Sequence, residues 1–144
     1  MGMTVEENAA KCPRTMEALA HAPQPDMPGR TPSAMFSLLK PKTRIPPHHG
    51  VTNARLVTHL PLIVPEACGF RVGNDVRQWS PGQAFVFDDT IEHEAWNESG
   101  KLRVVLIFDI WHPLLTPAER EMITALTAGL DAFVGDSGRS SSGL

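Results

Sequence analysis

Three histidines in this sequence lie where a metal ion could bind: His48 in IPPHHGVTN, His59 in RLVTHLPL and His93 in DDTIEHEAWN. Each lies within or beside a short apolar segment, and in a small β-barrel the ends of such strands converge on one opening. Neutral imidazole is the commonest protein ligand for iron, copper, nickel and zinc. The alternative for any single histidine is a hydrogen bond in a loop or at the surface. We expect that alternative for His21 and His49, and a structural role for His112 beside Trp111.

The segment FDDTIEHEAWN surrounds His93 with four carboxylates, those of Asp88, Asp89, Glu92 and Glu94. It connects two apolar stretches, AFVF and RVVLIFDI, for which a short neutral turn would suffice. Crowded carboxylates repel one another unless a cation or hydrogen-bond donors absorb the charge, and the segment contains no Lys or Arg. The pattern favours a nearby cation, although solvent around a surface loop would have the same effect.

Arg103 begins a strand that is apolar on both faces. A buried guanidinium is costly without an anion, and its fork matches a carboxylate through two parallel hydrogen bonds. The partner could be a loop aspartate or the carboxylate of a ligand. Ser37, in FSLL, has no chemical signal of its own, because a backbone hydrogen bond would satisfy its hydroxyl.

Short segments rich in Val, Ile, Leu, Phe and Thr, separated by Pro, Gly and Asn, are typical of β-strands and turns. They predict strands at residues 34–39, 54–62, 70–72, 76–79, 84–87, 92–96 and 103–110. Seven short strands without intervening helices predict an all-β protein, either an antiparallel sandwich or a small open barrel.

Helical segments are expected only near the two ends of the chain. Residues 1–33 comprise a short helix begun by Pro13 and a proline-rich connector. Residues 34–130 hold the strands and a C-terminal helix, which begins with a capping box formed by Thr116 and Glu119. We expect Met122, Leu126 and Leu130 of this helix to face the sheet, and residues 131–144 to form a flexible tail.

Composition restricts the classes of function. With 144 residues and a net charge of −3, the chain fits one globular domain and offers no basic surface for nucleic acid. The apolar runs are too short to span a membrane, and the N-terminus lacks the order of a signal peptide, so we expect a cytoplasmic protein. Cys12 and Cys68 are expected to be reduced thiols.

Four motifs in order, PPHHGVTNARLVTHLPL, GFRVGNDVRQW, FDDTIEHEAWN and RVVLIFDIWHPLLTPAER, resemble the aspartyl/asparaginyl β-hydroxylase family of iron(II)- and 2-oxoglutarate-dependent oxygenases. The resemblance extends from about residue 12 to about residue 120. It implies a double-stranded β-helix, that is, a jelly-roll or cupin-like barrel with the metal at its open end.

The resemblance also implies a role for each candidate residue. His48 and His93 match the iron-binding histidines. Arg103 matches the arginine that binds the distal carboxylate of 2-oxoglutarate, and Ser37 matches the hydroxyl that assists it. His59 matches a histidine that contacts the carboxylate next to the keto group. Together these matches assign His48, His93 and Arg103 to catalysis.

No histidine here begins the H-x-D or H-x-E triplet that most such iron sites use. The family that this sequence resembles is an exception to that pattern. The resemblance implies an iron site with two histidines and water in place of the carboxylate. Asp89 would then approach the metal only through water, and Asp88 and Glu92 would lie with it around the histidine ligands.

Two departures from the family pattern affect the expected substrate and assembly. Val57 occupies a position where the family often has a basic residue that holds an acidic substrate. The family's domain also has additional strands before the position where this chain begins, so a strand edge would be exposed and could pair with a second copy in a homodimer.

We therefore expect a hydroxylase that uses iron(II), 2-oxoglutarate and O2 on a small molecule or peptide. One alternative is a non-catalytic jelly-roll module that binds a carboxylate ligand or a partner chain. Another is a cupin-type enzyme with zinc, nickel or manganese in the same pocket.

Overall fold

Eight β-strands in a computed structural model form two antiparallel sheets of four strands each. The structure describes residues 5–25, 27 and 34–140. The strands are β1 (Ala34–Leu39), β2 (Thr43–His48), β3 (Arg55–Ile63), β4 (Cys68–Val72), β5 (Asp75–Arg77), β6 (Phe85–Phe87), β7 (His93–Asn97) and β8 (Arg103–Trp111). The helices are α1 (Glu6–Lys11), α2 (Pro13–Ala20) and α3 (Pro117–Ser140).

The strand order is β1-β8-β3-β6 in one sheet and β2-β7-β4-β5 in the other. Apart from β4 and β5, consecutive strands alternate between the sheets, which is the arrangement of a double-sheet jelly roll. The predicted double-stranded β-helix is confirmed. Strand β8 lies inside its sheet between β1 and β3, as its apolar character on both faces requires.

The sequence analysis missed β2, because Pro46 and Pro47 interrupt it. Proline has no N–H to donate to a neighbouring strand and is tolerated at sheet edges and bulges. Strand β2 satisfies both conditions: it pairs only with β7, and its register shifts between Ile45 and His48.

The predicted helix begun by Pro13 forms as α2, and a further helix, α1, precedes it. Cys12 separates them with an extended φ of −131°, and Pro13 begins α2 as expected. A residue before proline is excluded from the helical conformation by contact with the proline ring, so the chain cannot form one continuous helix there.

The C-terminal helix begins as predicted but runs farther. The capping box forms, with Thr116 N–H donating to Glu119 at 2.7 Å. No proline follows Pro117, and the helix continues to Ser140. The predicted limit at residue 130 therefore lies within α3, and residues 141–144 lie outside the described residues.

The prediction that Met122, Leu126 and Leu130 face the sheet is wrong, since they are 70%, 74% and 52% exposed. The half-buried face instead carries Arg120 and Thr127. Arg120 lies over the Trp111 ring at 5.8 Å, and Thr127 contacts Met27. These contacts rotate the helix away from the orientation that its apolar spacing suggested.

The core lies between the two sheets. Its buried apolar side chains are Leu39, Cys68, Phe70, Trp79, Ala95 and Val105. Cys68 and the half-buried Cys12 are both unpaired thiols, as expected. No helix within the described part of the chain has the length and apolar character needed to cross a membrane.

Strand β1 lies at one sheet edge and exposes Met35 and Leu38. Pairing of two copies along this edge stays a prediction.

Asn97 connects three parts of the barrel from a fully buried position. Its Nδ2 donates to the carbonyls of Leu39 at 2.9 Å and Lys101 at 2.8 Å. Its Oδ1 accepts from the Ser99 N–H at 3.0 Å and from the Cys68 thiol at 3.2 Å. One amide thus joins the end of β1, strand β4 and the β7–β8 turn.

We expect Asn97→Ala to lower the free energy of unfolding by about 2–3 kcal/mol, because several buried groups lose their partner. The exposed Asn53 provides a matched control, and Asn53→Ala should change stability by less than about 0.5 kcal/mol. Urea unfolding measures both values. Equal effects of the two substitutions would contradict this account of the barrel end.

Candidate active site

His48 and His93 meet at one end of the barrel. They are paired residues in the β2–β7 register, and their ring centroids are 4.1 Å apart. His48 is exposed at the end of its strand, whereas His93 is buried at the start of β7. The structure therefore brings together the two residues that the sequence suggested as metal ligands.

Both imidazoles are oriented by their own backbone. Nδ1 of His48 lies 2.8 Å from the Pro46 carbonyl, and Nδ1 of His93 lies 2.9 Å from the Ile91 carbonyl. A carbonyl only accepts, so each Nδ1 carries the proton and each Nε2 has a free lone pair. Burial lowers the pKa of His93, which favours the neutral form that binds metals. The two rings therefore meet the first requirement of a metal centre, which is neutral imidazoles held in a fixed orientation.

A carboxylate reaches the pair from the loop between β6 and β7. A Cβ atom added to Gly50 would lie 2.2–2.3 Å from the carboxylate atoms of Asp89. Gly50 is two residues after His48, where an H-x-D site carries its carboxylate. Asp89 therefore fills the space that such a side chain would occupy, and its loop is held there by a 2.6 Å bond from Gly50 N–H to Asp89 O.

The site has only two metal-ligating side chains in direct contact. Among residues 5–25, 27 and 34–140, no three His, Cys, Asp or Glu side chains form a group that could hold a metal ion. Asp89 is buried and its Oδ1 has no hydrogen-bond partner among the described residues, so this oxygen remains free to accept a bond. These donors fit an iron(II) ion with two imidazoles and a carboxylate acting through water.

The other acidic residues of the loop are neutralised by the protein. Arg71 of β4 donates to Glu94 at 2.6 Å and to Glu92 at 2.9 Å, and Arg44 of β2 donates to Glu94 at 2.9 Å. Asp88 accepts from Thr90, which lowers the pKa of that carboxyl. Arginines from neighbouring strands and Thr90 therefore offset the charge of these carboxylates.

Arg55 ties Asp89 to a second buried carboxylate that the sequence analysis did not single out. It lies 2.9 Å from Asp89 and 3.2 Å from Asp109. Burial raises the pKa of Asp109 to about 6, and Arg55 opposes that rise. The alternation of β3 and β8 was the available signal, since it places Arg55 on the face of His59 and Asp109 on the face of Arg103.

Deeper in the barrel, His59 is enclosed by aromatic rings. Its centroid lies 5.0 Å from Phe70, 5.3 Å from Phe85 and 5.1 Å from Phe87. Nδ1 accepts a 3.3 Å hydrogen bond from Trp79 Nε1. Burial lowers the pKa of His59 to about 3, assisted by the positive charges of Arg103 and His93. His59 is therefore neutral at physiological pH.

Arg103 lies at the inner end of the same interior and is 1% exposed. Its Nη1 donates to the hydroxyl and the carbonyl of Ser37, both at 3.1 Å, and its Cζ lies 4.9 Å from the Trp79 ring centroid. Nε is buried without a partner among the described residues. Burial lowers the pKa of Arg103. A guanidinium placed this way can receive a carboxylate from the cavity side.

The remaining histidines and Val57 take simpler positions. His49 is exposed near the Thr90 carbonyl, and His21 ends α2. His112 accepts a bond from the Leu114 N–H at 3.3 Å and supports the turn after β8. Val57 is buried in β3, opposite Asp109 and Phe87 in neighbouring strands. The Val57 side chain itself therefore carries no charge, although the buried carboxylate of Asp109 lies opposite it.

The neutral state of His59 predicts loss of stability in acid. The unfolded chain takes up a proton below about pH 6.5, and the folded chain does so only near pH 3, so the His59 contribution is complete above 6.5 and is lost as pH falls. We expect His59→Gln to flatten the acid limb of stability against pH by up to about 1.4 kcal/mol per pH unit. Urea unfolding between pH 7 and pH 4 measures it.

His49→Gln, the same substitution at an exposed position, provides the comparison variant. Asp109 acts in the opposite sense, because a raised pKa makes stability fall as pH rises from about 4 to about 6. Both proteins contain Asp109, so its contribution cancels when the slope of stability against pH for His59→Gln is subtracted from that of wild type. Identical slopes for the two proteins would contradict a neutral buried His59.

Comparison with known proteins identifies relatives of this chain. The chain is 38% identical over 122 residues to the human aspartyl/asparaginyl beta-hydroxylase, covering 83% of this chain and 16% of that protein. It is 44% identical over 120 residues to the ornithine lipid ester-linked acyl 2-hydroxylase of Rhizobium tropici, covering 81% of this chain and 41% of that protein. It thus spans less than half the length of these relatives.

Among solved structures, the cupin domain of Cnp3 from Schizosaccharomyces pombe superposes with a TM-score of 0.49 and 9% identity, over 65% of this chain and 68% of that one. The family model of aspartyl/asparaginyl beta-hydroxylases matches residues 1–113. This protein belongs to that family.

Proposed function

We propose that this protein is an iron(II)- and 2-oxoglutarate-dependent dioxygenase that hydroxylates an unactivated carbon. The observation that carries the proposal is one barrel interior with a paired His48 and His93 at the mouth and a buried Arg103 at the inner end. Membership of a hydroxylase family supports the reaction class. A metal and a dicarboxylate are the two ligands that this distribution of donors fits.

His48 and His93 would hold the metal through Nε2, since Nδ1 of each ring is engaged by backbone. Asp89 supplies negative charge beside them, and Arg55 fixes its orientation. Iron(II) and 2-oxoglutarate supply the oxidative chemistry when bound: O2 is consumed, the keto acid becomes succinate and CO2, and one oxygen atom enters a C–H bond of the substrate.

The protein's own residues then bind and orient the keto acid. Arg103, with the Ser37 hydroxyl beside it, would receive the distal carboxylate. The neutral His59 would donate from Nε2 to the other carboxylate. The rings of Phe70 and Phe87 beside His59 and His93 exclude water from the space between.

The first test is binding and turnover. Under anaerobic conditions, iron(II) and 2-oxoglutarate together should give a weak visible charge-transfer band, and O2 should then yield succinate. His93→Ala should abolish metal binding, whereas His49→Ala, one residue from His48 but outside the pair, should not. Metal titration and succinate assay measure these outcomes.

Arg103→Gln separates the two ligands. It should weaken 2-oxoglutarate binding and leave metal binding intact, because Arg103 lies at the opposite end of the interior from the histidines. If the wild-type protein gave no charge-transfer band and formed no succinate, the dioxygenase proposal would be refuted. Stabilisation by 2-oxoglutarate that needs no metal would instead favour the non-catalytic binding module, and a different metal in the purified protein would favour a cupin-type enzyme.

We further propose that the reacting part of the substrate is apolar. A cleft of about 620 Å³ opens between β5 and β6. Its walls include the apolar side chains Phe70, Val72, Phe85, Phe87 and Ile91, together with polar and charged ones such as Asp75, Arg77 and Asp88. The Phe87 ring also contacts His93 at 5.2 Å, so the cleft ends beside the candidate metal ligands. Val57 contributes no charge, and one relative carries the name of an acyl 2-hydroxylase of a lipid.

We expect an ester-linked acyl lipid to stimulate succinate formation more than an aspartate-containing peptide of equal concentration. The physical reason is that hydrocarbon gains free energy against the aromatic wall of the cleft. A side-chain carboxylate finds no cation at Val57, and Arg77, the arginine that lines the cleft, is already paired with Asp75. Coupled succinate and O2 measurements decide between them. Preferential stimulation by the peptide would contradict the apolar substrate without affecting the dioxygenase assignment.

A further inference from the structure

Trp79 lies in the barrel interior and contacts both His59 and Arg103. Its Nε1 donates to Nδ1 of His59 at 3.3 Å, and the Arg103 guanidinium carbon lies 4.9 Å from its ring centroid. The indole is buried in the core, where it also lies 5.5 Å from the Phe70 ring. It has little freedom to move.

The hydrogen bond fixes the tautomer of His59. An indole N–H can only donate, so Nδ1 of His59 must present its lone pair. Neutral imidazole has one N–H, which then lies on Nε2, the nitrogen that Trp79 does not engage. That nitrogen can donate to a carboxylate. With the other tautomer, Nε2 would present a lone pair and repel it.

The ring face acts on Arg103 in a second way. A cation over an indole face is attracted to the π-electrons, and the attraction grows when both groups are desolvated. Ser37 fixes one Nη1 edge of the guanidinium while Trp79 lies against its face. The two contacts set the plane of the fork and leave Nε without a partner among the described residues.

We propose that Trp79 is a positioning residue for 2-oxoglutarate, because one indole sets the donor of His59 and the plane of Arg103. The inference rests on the proposed function above and deepens it. The two ends of a dicarboxylate would be bound by these two residues, so the rigid Trp79 couples both contacts. It touches the cofactor's binding partners rather than the reacting atoms.

The test replaces Trp79 by Phe, which keeps an aromatic ring and removes the N–H. In ¹⁵N-histidine NMR of the metal-free protein, wild type should show His59 protonated on Nε2, and Trp79→Phe should show a loss of that tautomer. Affinity for 2-oxoglutarate, titrated with Mn(II) in place of iron, should fall about tenfold, the size expected for a lost hydrogen bond to a charged group. Mn(II) affinity should stay unchanged.

Trp96→Phe is the matched control. Trp96 also lies under an arginine, since the Arg44 guanidinium carbon is 5.3 Å from its ring centroid. Trp96 is on β7, and among the described residues it makes no ring contact or hydrogen bond to an imidazole, unlike Trp79. It should alter neither the His59 tautomer nor the 2-oxoglutarate affinity. If Trp79→Phe does not fold, a benzothiophene analogue of tryptophan at position 79 removes only the N–H and preserves the two-ring shape.

The outcomes separate this inference from the proposed function. Unchanged His59 tautomer or unchanged 2-oxoglutarate affinity in the folded variant would overturn the role of Trp79 while the dioxygenase assignment stood. A wild-type protein that does not bind 2-oxoglutarate would overturn both. Loss of tautomer and affinity together, with Trp96→Phe silent, would establish the positioning role.

Discussion

The pairing of β2 with β7 is the constraint on which the site depends. Successive residues of a strand face opposite sides, so a shift of one residue would turn His48 away from His93. Two prolines precede His48, and neither can donate to β7. The register shift between Ile45 and His48 absorbs this defect and still leaves His48 opposite His93. The irregular strand that sequence patterns fail to detect is thus the one that brings the candidate metal ligands together.

Charged groups buried in the barrel interior lower the stability of the fold. Arg103, Asp89 and Asp109 are all buried, and a buried charge costs several kcal/mol unless partners offset it. The offset is incomplete, since Nε of Arg103 and Oδ1 of Asp89 have no partner in the described residues. Native proteins rarely bury such groups without a ligand or water to satisfy them. Their positions at opposite ends of the interior agree with a cofactor that carries charge at one end and meets a metal at the other.

Sequence patterns predicted an antiparallel sandwich or small barrel and the candidate histidines, because both depend on local signals, and the family resemblance implied the jelly roll. Alternation located most strands, and ligand-type side chains at strand ends located His48, His59 and His93. What they missed depends on pairing between distant segments. Arg71 neutralises the acidic loop from a neighbouring strand, which the loop sequence cannot reveal. Trp79 has no titratable group, so only its position next to His59 gives it a role.

Gly50 and Asp89 explain why the candidate ligands His48 and His93 have no carboxylate two residues after His48. In an H-x-D site, the carboxylate belongs to the residue at position 50 and lies on the same strand as the first histidine. Here the Asp89 carboxylate already occupies that space, and a Cβ at position 50 would lie 2.2 Å from it. Any side chain at position 50 would displace Asp89 from Arg55 and leave that guanidinium with Asp109 alone. The absent ligand is therefore a consequence of packing: a carboxylate from the loop replaces one from the strand, and glycine is what allows it to fit.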